Sequence, residues 1–215
     1  MTNIYLVRHA QSEGNLSGHF QGITDAVLTP LGLKQAAAVG ARLAEMPLAA
    51  VYASPLSRAN QTANAIAAHH GLEVITEPDI IEISGGVMEN VPFGVLLEKF
   101  PKEFYMFDRE PHLFEGIEGA ESVASVFARM KSAIERIAAR HPGQSVAVVS
   151  HGCPIRCYLG YAKGYTLEQL GRMSWGKNTG LSHITFEGGK PALHLENDIA
   201  HIPEELLSAE WRMKE

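Results

Sequence analysis

Apolar and polar positions along the chain alternate in two rhythms. Ile4-Tyr5-Leu6-Val7 is an unbroken apolar run that stops abruptly at Arg8-His9. Such a run is the pattern of a strand buried on both faces. A polar, glycine-containing loop follows through Asn15, His19, Gln21 and Asp25. Thr29-Pro30 then predicts an N-cap with proline at the first helical position, opening a helix that runs to about Met46. Ala49–Ala53 repeats the short apolar run and ends sharply in Ser54-Pro55-Leu56-Ser57-Arg58. A helix over Ala59–His70, closed by Gly71, and a third strand over Glu73–Thr76 continue the alternation, with Asp79–Ile83 as an extended segment.

From Ser84 to Gly119 the rhythm breaks. This stretch holds five of the eight phenylalanines and three prolines without a strand pattern, and it predicts a helical insertion covering one end of the sheet. Helical spacing resumes at Val123, Val126, Phe127, Met130, Ile134 and Ile137, in a long helix from Glu121-Ser122 to about His141. Gln144–Ser150 is the clearest buried strand and stops at His151-Gly152-Cys153-Pro154, where Pro154 predicts another helix start. Leu181–Phe186 and Pro191–Leu195 around Gly188-Gly189 predict a hairpin, and the tail from Pro203 a closing helix. Strands alternating with helices predict a single α/β domain over 1–215, with a mostly parallel central sheet and helices on both faces. The stretch 84–119 is its lid-like insertion.

Composition narrows the functional classes. With 215 residues, 46% of them hydrophobic and 20% charged, the chain is sized for one well-buried core. A net charge of −6 argues against nucleic acid or an anionic membrane as partner. Cys153 and Cys157 lie four positions apart on one expected helix, a pattern of reduced thiols rather than of a disulfide framework. With no leader-like start and no bilayer-length apolar run, the expectation is a soluble cytoplasmic protein. A homodimer is the prior for a small α/β enzyme.

The chemistry sits where strands end. Arg8 and His9 place a cation and an imidazole on adjacent residues, as attack on a phosphate ester requires. Parallel connections return every strand in the same direction, so Arg8, His9, Arg58 and His151 gather at one sheet edge although far apart in sequence. His69-His70, and His194 with Glu196, Asp198 and His201, carry ligand-type side chains without the spacing of a metal site.

Four ordered blocks resemble the histidine phosphatase superfamily, also called the phosphoglycerate mutase-like family. They are Leu6–Asn15; Gln21-Gly22 through Asp25 with Leu28–Gly32 and Gln35-Ala36; Ser54–Ala59 with Gln61-Thr62-Ala63; and Val148–Gly152. The resemblance implies an α/β fold, a phosphohistidine intermediate and neither metal nor other cofactor. It implies His9 as nucleophile, Arg8, Arg58 and His151 as phosphate pocket, Asn15 as a further donor and Glu82 as proton donor. Ala10 stands where the family motif has glycine, which fits if the backbone there avoids positive φ. After Glu82 the chain departs from the family pattern, and Glu89 is the reserve proton donor. A bound dianion would favour the protonated form of His151.

Within the family, phosphatase is expected over mutase. Residues 84–119 hold only Lys99, Lys102 and Arg109 as cations against seven acids, and they lack the paired arginines of the cofactor-dependent mutases. The expected substrate is a small phosphomonoester. Mutase-type transfer and a non-catalytic phospholigand-binding module are the alternatives.

Overall fold

The computed structural model describes residues 1–208. In chain order it runs β1 (Thr2–Arg8), α1 (Glu13–Ser17), β2 (His19–Phe20), α2 (Pro30–Leu43), β3 (Leu48–Ala53), α3 (Ser57–Ala67) and β4 (Val74–Thr76). It continues with β5 (Val91–Pro92), α4 (Phe93–Lys99), α5 (Pro101–Arg109), α6 (Val123–Arg140), β6 (Ser145–Ser150), α7 (Gly152–Ala162), β7 (Leu181–Glu187) and β8 (Lys190–Asp198). The main sheet has the order β4-β3-β6-β1-β7-β8. Pairing is parallel from β4 through β1 and antiparallel across β7 and β8, as the hairpin pattern predicts. Gly188 and Gly189 turn that hairpin at φ +57° and +78°, a backbone that residues with a Cβ rarely adopt.

The unbroken apolar runs are explained by burial on both faces. On β1, Ile4 and Leu6 point to one face, where Met130, Ile134 and Ile137 of α6 and Tyr158 of α7 meet them. Val7 points to the other, against Val39 and Leu43 of α2 and Ile66 of α3. β6 divides in the same way, Val146 and Val148 to the first face and Ala147 and Val149 to the second. Ile4, Leu6 and Val7 are fully buried, each stabilising the fold by roughly 1.5–3 kcal/mol.

The insertion is helical, as expected, with one addition. β5 pairs antiparallel with β2, tying residues 91–92 to residues 19–20 of the loop after β1. The phenylalanines form the insertion's own core. Phe20, Phe93, Phe104, Phe107 and Phe114 stack edge-on or tilted, with centroids 5.2–6.4 Å apart. Arg156 of α7 fastens α5, donating to the carbonyls of Phe107 (3.2 Å) and Asp108 (2.5 Å). Cys153 and Cys157 are free and buried on α7.

Several expectations need correction. The α3 helix runs Ser57–Ala67 rather than Ala59–His70, α7 opens at Gly152 rather than Pro154, and Asp79 and Ile80 belong to a 3₁₀ turn, Pro78–Ile80, rather than to an extended segment. The loop after β1 contains α1, whose Ser12 and Asn15 form a capping box. The α2 helix stops at Leu43 rather than near Met46. The tail from Pro203 forms only a 3₁₀ turn, Glu204–Leu206. There Gln35 Nε2 takes the Leu206 carbonyl at 2.8 Å, one that a continuing helix would use. The rest of the expected closing helix lies outside the described residues. No helix among the described residues is long and apolar enough to cross a membrane.

Candidate active site

β1 delivers Arg8 and His9 to the carboxyl end of the sheet, and the segment before β7 wraps both. The Arg8 N–H donates to Gly180 O (3.2 Å), Thr179 N–H to Arg8 O (3.0 Å), and His9 N–H to Ser150 O of β6 (2.9 Å). Arg8 Nη1 donates to the Gly176 carbonyl. Asn178 Nδ2 spans His9 O (2.9 Å) and Asn15 Oδ1 (3.2 Å). Ala10 fits its place: it is fully buried, lies outside the positive-φ residues, and donates its N–H to Thr62 Oγ1 at 3.1 Å.

His9 is 2% exposed. Its Nδ1 lies 2.7 Å from the Ala10 carbonyl, which can only accept, so the proton sits on Nδ1 and the lone pair on Nε2. Burial, then Arg58 and Arg8, holds its pKa well below the ordinary histidine value. The imidazole is therefore neutral and available as a nucleophile near pH 7.

Arg58 stands in the first turn of α3, whose N-terminus is capped from a distance. Asp25 accepts from Ser57 N–H (2.7 Å) and Ser57 Oγ–H (2.6 Å). The guanidinium, on a residue 1% exposed, donates to Gly22 O (2.7 Å) and Thr24 O (2.9 Å), while its Nε has no partner. Burial lowers the Arg58 pKa, opposed by Glu82 and Asp25.

His151 follows β6 and is fully buried, its ring 5.1 Å from that of His9. Nε2 lies 2.7 Å from Ser54 Oγ, and Nδ1 is buried without a partner. The protein's own groups oppose a charge here: burial, then Arg58, His9 and Arg8, pushes the His151 pKa well down. Protonation of His151 would thus require a bound dianion strong enough to reverse them.

Glu82 reaches the site from the irregular segment after β4. Its Oε1 accepts from Ile83 N–H at 2.9 Å and its Oε2 from Cys153 N–H in the first turn of α7 at 3.5 Å. A Cβ on Gly152 would stand 3.7 Å from Glu82 Oε2, 3.8 Å from Arg8 Cζ and 3.7 Å from Trp175 Cε3, so these three groups converge on one glycine. Burial raises the Glu82 pKa above the usual carboxylate value, against the Ile83 amide, Arg58 and Arg8.

Glu89 is placed differently. It accepts from the amides of Ile23 (2.9 Å), Thr24 (2.8 Å) and Gly85 (2.6 Å) and from Thr24 Oγ1 (2.5 Å). Four donors consume its oxygens in a tie between the insertion and the turn that holds Arg58. Asn15 uses Oδ1 for Ser12 N–H (3.2 Å) and Asn178, which leaves its Nδ2 hydrogens outside the capping box. Among the described residues, no group of three His, Cys, Asp or Glu side chains converges as a metal site would.

Arg8, His9, Arg58, Glu82 and His151 are thus brought together, and Asn15 is linked to them through Asn178. Sequence reasoning missed Asn178 and Trp175. The available signal was the turn-rich Asn178-Thr179-Gly180 just before a strand.

Comparison with known proteins gives the family and the fold. The chain is 38% identical over 205 residues to "Phosphoserine phosphatase 1" of Hydrogenobacter thermophilus, covering 95% of this chain and 96% of that one. It is 31% identical over 192 residues to "Probable phosphoglycerate mutase GpmB" of Yersinia pestis, covering 87% and 86%. Among solved structures, Bacillus stearothermophilus YhfR superposes with a TM-score of 0.89 at 28% identity, over 94% of this chain and 99% of that one. Residues 4–199 match the family model "Histidine phosphatase superfamily (branch 1)", and the chain belongs to that superfamily.

Proposed function

We propose that the protein hydrolyses small phosphomonoesters through a phosphohistidine at His9, without a metal. The observation that carries the proposal is the buried His9, held as the Nδ1–H tautomer with Arg58 and Arg8 close enough to depress its pKa. Nε2 attacks phosphorus in line. The P–O bond to the substrate breaks as the Nε2–P bond forms, and Arg8, Arg58 and His151 face the equatorial oxygens. Glu82 donates its proton to the departing alkoxide, which its raised pKa favours. The resulting carboxylate then takes a proton from the water that attacks phosphohistidine, releasing inorganic phosphate and returning His9 and Glu82 to their starting forms. The stretch 84–119 is read as the cover that limits water during the first step.

Phosphoserine is the first candidate substrate, since a relative 38% identical over nearly its whole length is named for that activity. Mutase chemistry is the second reading, raised by the Yersinia relative. The insertion weighs against it. Arg109 is exposed and paired with Asp108 at 2.8 Å, and Lys99 and Lys102 are exposed, so these cations contribute no buried contact to a second acidic group. Wild type and His9→Ala are incubated with phosphoserine, with p-nitrophenyl phosphate, and with 3-phosphoglycerate plus 2,3-bisphosphoglycerate. Phosphate release that needs His9 is the expected result. Isomerisation exceeding hydrolysis would make the protein a mutase, and phosphate binding without turnover would make it a binding module.

A further inference from the structure

The segment that carries Glu82 has neither helix nor strand beyond Ile80, yet each of four consecutive carbonyls on it is held by a side chain. Arg129 of α6 donates from Nη1 to Asp79 O (2.8 Å) and Ile81 O (2.6 Å), and from Nη2 to Glu82 O (3.1 Å). Ser150, the last residue of β6 and neighbour of His151, donates to Ile80 O at 2.7 Å. Glu121 takes the two remaining Arg129 hydrogens, at 2.8 Å from Nε and 3.0 Å from Nη2. All five guanidinium donors are then in use, in the planar fork that arginine alone provides. Arg136, two turns along the same helix, behaves otherwise: it pairs with the side chains of Glu77 (3.2 Å) and Asp79 (2.6 Å) and touches no carbonyl of the segment.

We infer that Arg129, oriented by Glu121, is a positioning residue that fixes the Glu82 carboxyl where a leaving group needs its proton. The inference rests on the reading of Glu82 as proton donor. Its signature lies in the leaving group. A p-nitrophenolate departs without help, whereas an alkoxide needs the proton at the moment the P–O bond breaks. A displaced Glu82 therefore slows alkyl esters and spares aryl esters, while general damage to the fold slows both.

The experiment measures kcat/KM for phosphoserine, glycerol 3-phosphate and p-nitrophenyl phosphate with wild type, Arg129→Met, Arg129→Lys, Glu121→Gln, Arg136→Gln and Glu82→Gln. The ratio of alkyl to aryl rates is expected to fall about 10- to 100-fold in Arg129→Met, the scale of an ångström misplacement of a reacting group. Arg129→Lys and Glu121→Gln should show smaller falls in the same direction, and Arg136→Gln none. Should Arg129→Met fail to fold, those two variants decide. Equal losses on both ester types, or a wild-type ratio in Arg129→Lys, would overturn the inference. Glu82→Gln separates the levels. If it slows both ester types equally, the proton-donor reading falls and this inference with it; if it slows only alkyl esters while the Arg129 variants match wild type, only this inference falls.

Discussion

Replacing Arg58 by methionine removes the charge that acts most strongly on both imidazoles of the site. On the rate side, one fixed donor aimed at charge that builds in the transition state is worth about 2.7–4 kcal/mol, a loss of about 10²–10³ in kcat. On the stability side two effects oppose. The carbonyls of Gly22 and Thr24 each lose a charge-assisted hydrogen bond worth about 1.5–3 kcal/mol. Against that, a cation on a residue 1% exposed, with its Nε unpartnered, no longer needs to be taken out of water. Melting temperature should therefore move far less than the rate. The sign of the pH effect follows from the same charge. Burial and then Arg58 hold the His9 pKa down, and in the proposed mechanism only neutral His9 attacks; without the guanidinium that pKa climbs part of the way towards the ordinary value, so the acidic limb of the rate profile should move to higher pH. The assay is kcat/KM for p-nitrophenyl phosphate against pH, divided by the wild-type curve so that ionisation of the substrate cancels. An NMR titration of the two imidazoles accompanies it. Arg58→Lys should keep most of the limb position and lose part of the rate. An unmoved limb together with a loss below about tenfold would refute the reasoning.

Other outcomes follow from the same geometry. Turnover of alkyl esters should fall as pH rises through the raised Glu82 pKa, because the protonated carboxyl is the active form; Glu82→Gln should abolish that limb at a cost of about 10²–10⁴ in rate. Glu89→Ala releases four donors and should lower stability by about 2–3 kcal/mol in urea denaturation, with the ratio of alkyl to aryl rates unchanged. Asn178→Ala breaks the bonds to His9 O and Asn15 Oδ1; it should cost about 1–3 kcal/mol of stability and weaken inorganic phosphate as a competitive inhibitor. Dialysis against a chelator should leave activity unchanged, since the proposed bond-making and proton transfers use His9 and Glu82, and the proposed charge stabilisation uses Arg8, Arg58 and His151, with no metal.

The parts of this protein legible in its sequence are those set by period and by punctuation. Val146 to Val149 could only be a strand buried on both faces, and it is. Arg8, Arg58 and His151 were readable as neighbours because parallel strands bring their ends to one edge whatever lies between. What escaped was irregular backbone. Asn178 and Trp175 lie on a segment with no periodicity, and their roles depend on contacts with Asn15, Arg156 and Asp108 that no local pattern encodes. Glu82 and Glu89 look alike in sequence, each an acid directly after an apolar residue. Only the three-dimensional structure separates Glu82, whose burial beside Arg8 and Arg58 puts it in the site, from Glu89, whose oxygens are taken by four hydrogen bonds. Helix α1 escaped because five residues are too few for a hydrophobic stripe, although Ser12 and Asn15 spell its cap.

The position of β1 has a kinetic consequence. Its amides are shared between β6 on one side and β7 on the other, so no edge of it can fray, and deuterium reaches the backbone under Arg8 only when the whole sheet opens. The insertion is joined to the loop after β1 by a ladder of two residues on each strand, by Glu89 and by the packing of Phe20, contacts that can open locally without unpairing the main sheet. Opening is therefore expected to be concentrated in the insertion and away from His9, with the amides of β1 exchanging more slowly than those of residues 84–119.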